Sequence, residues 1–78
     1  MQIAIGLTFP GELKDDAILC YLCKNFDMNI NIIEASFSAS RGWAILKVDA
    51  DEEELDRAFI FLKEKGIKIQ KIETIHEA

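Results

Sequence analysis

Two thiols in C-x-x-C spacing, Cys20 and Cys23, are the first residues of this chain whose type and separation suggest chemistry. That spacing serves zinc, a redox pair or a heavy-metal loop. Residues three apart on a helix can both face one ion, but a tetrahedral site needs further ligands, and the single histidine, His76, lies near the end of the chain. A thioredoxin-type pair needs its first cysteine at a helix N-terminus, where the dipole favours the thiolate. The segment from Asp15 to Phe26 reads as helix and puts Cys20 in its middle. Both thiols are therefore expected to be reduced, partly buried packing residues, with no metal bound. No convergent base, nucleophile and oxyanion site stands out elsewhere, and no phosphate-binding glycine loop is present, so the chain is expected not to be an enzyme and to carry no cofactor.

The bulk numbers agree with a small binding or interaction domain. A chain of 78 residues has room for one core, so residues 1–78 are expected to form one domain of marginal stability that association would strengthen. Half of the residues are apolar and 29% are charged, a globular balance outside the range of disorder. A net charge of -5 removes the phosphate neutralisation on which nucleic-acid binding depends, and disfavours anionic membrane. The start MQIAIGLTF alternates and meets Pro10 and Gly11, unlike a signal peptide, and no stretch approaches the roughly 20 apolar residues of a membrane span. A cytoplasmic location without membrane insertion is the expectation.

The elements that must position any site can be read from periodicity. Ile3, Ile5, Leu7 and Phe9 alternate with the small Ala4, Gly6 and Thr8, the period of a strand with one face on a core. Pro10 and Gly11 stop that strand, and Asp15 and Asp16 favour the start of a helix. Over Lys14 to Phe26, Ile18, Leu19, Leu22 and Phe26 share one helical face. Asn29 reads as a turn residue, and Asn29 to Phe37 is β-branched and aromatic enough for a second strand. The consecutive Ile32 and Ile33 break its alternation, which predicts a bulge near Ile33 or burial on both faces. Ser38 to Gly42 supplies hairpin chemistry with Arg41 solvated, and Trp43 to Asp49 alternates again. Asp51 with Glu52, Glu53 and Glu54 predicts a helix start in which Asp51 caps backbone N–H groups and Glu54 reaches back to it. Leu55, Ala58, Phe59 and Leu62 form the inward stripe, Gly66 suits a left-handed cap, and Ile67, Ile69 and Ile72 give a last strand before a fraying tail from Thr74 to Ala78.

The resulting order is that of an α+β ferredoxin-like βαββαβ sandwich, a four-stranded antiparallel sheet with two helices on one face. Alternation puts Trp43 and Ile45 on the other face beside Ala4 and Gly6, while Ile60 and Phe61 lie off the inward stripe of the second helix. A clustered apolar set that includes a tryptophan suggests an interface, so Trp43 and Ile45 are expected at a contact in a homodimer. The bland alternative is that loops or the C-terminus cover them.

Several segments, in order, resemble one known family. Asn29-Ile30-Asn31-Ile32-Ile33-Glu34-Ala35 resembles the signature of the NIL domain, an Asn-Ile-Leu tripeptide that would here be Asn31-Ile32-Ile33 with a conservative third letter. Leu7-Thr8-Phe9-Pro10 resembles the family's first strand and its exit, and Gly42 through Val48 its third strand. Asp51 to Glu54 and Leu62-Lys63-Glu64-Lys65-Gly66-Ile67 resemble its closing helix and the Gly-Val step after that helix. Each motif alone is weak, and their order and spacing make them specific over nearly the whole chain.

The resemblance implies an ACT-like regulatory module of the kind found in methionine-importing ABC transporter ATPases and in NIL-ferredoxin proteins of sulfur metabolism. Two cysteines cannot hold a four-cysteine cluster, so electron transfer is not carried over, and without a P-loop neither is ATP hydrolysis. What remains is recognition of methionine or a related sulfur amino acid, or docking to a ferredoxin or sulfur-metabolism enzyme. Asn31 is the candidate ligand-binding residue, because an amide offers donors and an acceptor to an amino acid's two charged groups, with Ile32 and Ile33 lining an apolar slot for a thioether. Against it stands the simpler role of satisfying edge or bulge backbone.

Overall fold

Period-two alternation is realised in the first strand, where Ile5, Leu7 and Phe9 are buried and the even-numbered residues face the other way. The computed structural model describes residues 1–11, 17–38 and 41–72. Its elements run β1 (Gln2–Phe9), α1 (Ile18–Asn25), β2 (Asn29–Phe37), β3 (Gly42–Asp49), α2 (Glu52–Glu64) and β4 (Lys68–Ile72). The strands form one four-stranded sheet in the order β2-β3-β1-β4, antiparallel throughout, so the fold is the ferredoxin-like α+β arrangement. Ile18 and Leu22 of α1 and Leu55, Ala58 and Leu62 of α2 join Ile5, Leu7, Ala44, Leu46 and Val48 in one core, which places both helices on the same sheet face.

The isoleucine pair in β2 is resolved by a bulge. Ile32 pairs with Leu46 and Glu34 with Ile45, so Ile33 is the inserted residue. The insertion reverses the facing of everything after it. Glu34 and Ser36 come to the helix-free face, and Phe37 comes to the helix side, where its ring lies 5.6 Å from Phe9. An uninterrupted strand would have put Glu34 over the core.

Three local expectations are corrected. Ala17, with φ -83° and ψ 59°, is not helical, so α1 begins at Ile18; Asp15 and Asp16, expected in its first turn, lie outside the described residues, as do His76 and the tail from Thr74. Cys20 therefore sits in the first described turn of α1, and both Cys20 and Cys23 are free and exposed rather than partly buried. Asp51 is the N-cap of α2, but its side chain makes no capping bond. Glu54 does not reach back to it either. Its carboxylate accepts the Asp27 N–H at 2.7 Å and pairs with Arg57, tying α2 to the turn before β2.

Gly66 ends α2 as expected, with φ +81°, and no atom lies within 4 Å of where its Cβ would stand. The cost of a side chain there is purely conformational, so Gly66→Ala should lower stability by about 1 kcal/mol. A urea titration would register this as a lower midpoint at unchanged slope, and an unchanged midpoint would contradict it.

Candidate functional site

Direct cross-strand partners share a sheet face, so the register places each candidate side chain. Asn31 pairs with Lys47 and lies on the helix-free face, whereas Ile32 pairs with Leu46 on the helix side. The single slot expected for Asn31, Ile32 and Ile33 is thus divided by the sheet, with Ile33 at the bulge. All three are exposed, Ile32 by 58%. Among the described residues the Asn31 amide has no hydrogen-bond partner, so it does not satisfy the bulge backbone there.

The strand that carries Asn31 is itself open. β2 is an edge of the sheet, nine residues long, and every one but Ile30 is exposed. Ile32, Ile33 and Phe37 lie along it, and Glu34 is its one charge. Natural edges are blunted by charge, proline or covering loops, and a long apolar edge is a template for another strand.

Trp43 and Ile45 are half-buried on the helix-free face, as alternation indicated. They line one side of a concavity of about 430 Å³ whose other side is β4, with Lys68, Gln70 and Ile72. Its floor is β1: Thr8 lies between Trp43 and Lys68, and Gly6 between Ile45 and Gln70. Alternation alone sets Gly6 on the face of Trp43 and Ile45 and gives no sign of the polar wall. Only the strand order, which sets β4 against β1, brings Lys68 and Gln70 to it.

Phe61, grouped from sequence with the tryptophan, is elsewhere. Its ring stacks on Tyr21 of α1 with centroids 4.6 Å apart and planes at 11°, and Phe26 lies 5.8 Å from it. Arg57 stands over the Phe26 ring and Lys65 over Phe61, so this cluster fastens α1 to α2 on the helical side. Ile60 remains exposed.

This arrangement, a ferredoxin-like sheet with a bulged, open second strand, can be compared with known proteins. The family model of the NIL domain matches residues 4–71. The chain belongs to the NIL domain family. Among curated relatives, the methionine import ATP-binding protein MetN of Bacillus subtilis (strain 168) is 27% identical over 75 residues, which is 91% of this chain and 22% of that protein. The methionine import ATP-binding protein MetN 2 of Bacillus licheniformis is 25% identical over the same length and shares. This NIL chain thus spans about a fifth of the length of the curated relatives it matches. A crystal structure of the C-terminal domain of an ABC transporter ATP-binding protein from Enterococcus faecalis superposes with a TM-score of 0.75, covering 90% of this chain and 82% of that one at 16% identity. That likeness establishes the shared fold.

Proposed function

We propose that this NIL domain is a non-catalytic regulatory module that recognises methionine or a related sulfur amino acid, acting in the cytoplasm as a homodimer. The observation that carries the reading is the Asn31 amide, exposed on the bulged edge strand of a member of a family whose curated relatives are named for methionine import. An amide can accept from an ammonium and donate to a carboxylate without adding charge, which suits a zwitterion. The open β2 edge supports the dimer, and the contact then runs along β2 rather than through Trp43 and Ile45 on the neighbouring strand. Two copies paired along it would cover Ile32, Ile33 and Phe37 and bring both Asn31 side chains to one continuous sheet. The same exposed edge is what a docking role toward a ferredoxin or a sulfur-metabolism enzyme would use, and the dimer is favoured because the edge is apolar along most of its length.

Thermal unfolding with and without L-methionine tests the reading. If the dissociation constant is about 0.1 mM, then roughly 10 mM methionine adds about 2.7 kcal/mol and raises Tm by about 10 °C or more for a domain of this size. Leucine should give little, and Asn31→Ala should lose most of the shift. Sedimentation of the same samples should give twice the 8.8 kDa chain mass. A Tm that methionine leaves unmoved rejects the ligand, and a monomer at every concentration rejects the dimer.

A further inference from the structure

Gly6 sits in the middle of β1, paired on one side with Ile45 and on the other with Gln70. Glycine weakens an interior strand, because it loses the most backbone freedom on folding and packs nothing. The backbone does not require it: Gly66 is the glycine with positive φ among the described residues. Packing does not require it either, since a Cβ at Gly6 would lie 3.7 Å from Ile72 Cδ1 and 3.9 Å from the Gln70 carbonyl oxygen, which is ordinary contact. The β1 register runs through Gly6 without a bulge, and the remaining common use of a strand glycine is to let a ligand or another backbone approach the main chain closely.

The surroundings of Gly6 say what that is. It is the floor of the concavity of about 430 Å³, within the usual range for small-molecule sites. Trp43 and Ile45 form an apolar wall on one side, and Lys68 and Gln70 a polar one on the other. Trp43 and Lys68 stand two strand spacings apart, about 10 Å, with the Thr8 hydroxyl between them. Lys68 makes no ion pair among the described residues. We infer that this concavity binds a small monocarboxylate with an apolar tail: the carboxylate accepts from the Lys68 ammonium and the Thr8 hydroxyl, and the tail lies over Gly6 against Ile45 and Trp43. The floor of the site, β1, lies two strands from the β2 edge, while its wall residues Trp43 and Ile45 stand directly beside Ser36 and Glu34 of β2; the inference makes no use of Asn31.

Trp43 is the single tryptophan and lines this site, so its fluorescence reports on it. Titration with hexanoate should change it saturably, whereas hexanol and hexylammonium should bind more weakly. Lys68→Gln should weaken hexanoate by about threefold to fivefold, the scale of one exposed ion pair, and leave hexanol unchanged. Gly6→Val should abolish the response while raising Tm, because a β-branched residue replaces glycine in a strand; Gly6→Ala, whose Cβ has room, provides the milder step should valine fail to fold. Asn31→Ala should keep the hexanoate response even if it loses that to methionine. The inference is overturned by equal binding of hexanoate and hexanol, by unchanged binding in Gly6→Ala and Gly6→Val, or by no saturable response at all.

Discussion

Leu46→Ala is expected to lower the stability of this domain by about 3 kcal/mol and Tm by about 15 °C. Leu46 is fully buried in β3, the strand flanked by β2 and β1, and pairs there with Ile32 and Ile5. Truncation removes the transfer free energy of the deleted methine and two methyl groups and leaves a void that a sheet, tied on both sides by hydrogen bonds, cannot close. A domain of this length has a total stability of roughly 4–12 kcal/mol, so the loss is a large part of the whole. Urea and thermal denaturation monitored by circular dichroism would measure it. A loss under about 1 kcal/mol would show that the core relaxes around the site and would contradict this account of the packing.

Phe61→Ala should cost about 2 kcal/mol, less than a fully buried phenylalanine because the ring is half-exposed. The consequence is local as well as global. Tyr21 loses its stacking partner at 4.6 Å and Phe26 loses a neighbour at 5.8 Å. These rings are a principal tie between the short helix α1 and α2. Hydrogen exchange should therefore quicken in α1 more than in β1 and β3, which keep their ladders. Phe61→Leu separates the two contributions, since it restores apolar burial but not the ring pair, and should recover all but about 1 kcal/mol. Equal exchange in α1 and β3 after the substitution would show that the aromatic cluster does not hold the helix.

How far the site was legible in the sequence differs from one residue to the next. The open edge strand was found to its end residues, Asn29 and Phe37, and the doubled isoleucine announced the bulge that the register places at Ile33. Asn31 and Trp43 were both marked as candidates, and both lie on the helix-free face. The thiols are exposed although free cysteine tends to be buried, because neither belongs to the face shared by Ile18, Leu19, Leu22 and Phe26. Ala17 is outside the helix, and Cys20 and Cys23 point to solvent. Glu54 was assigned to its own helix start, yet it accepts the N–H of Asp27, a residue 27 positions away.

The chain determined by itself the set of elements and which side of each is apolar, since these depend on propensity, period and turn chemistry acting over a few neighbouring residues. The fold class and the presence of a bulge come from that local information. Tertiary structure alone decided what meets what. Strand order set Lys68 and Gln70 across Gly6 from Trp43 and Ile45, and helix packing drew Phe61 away from the tryptophan to Tyr21. The bulge register also parted Asn31 from Ile32, placing them on opposite faces of the sheet. Such contacts depend on residues distant in the chain, and no local pattern encodes them.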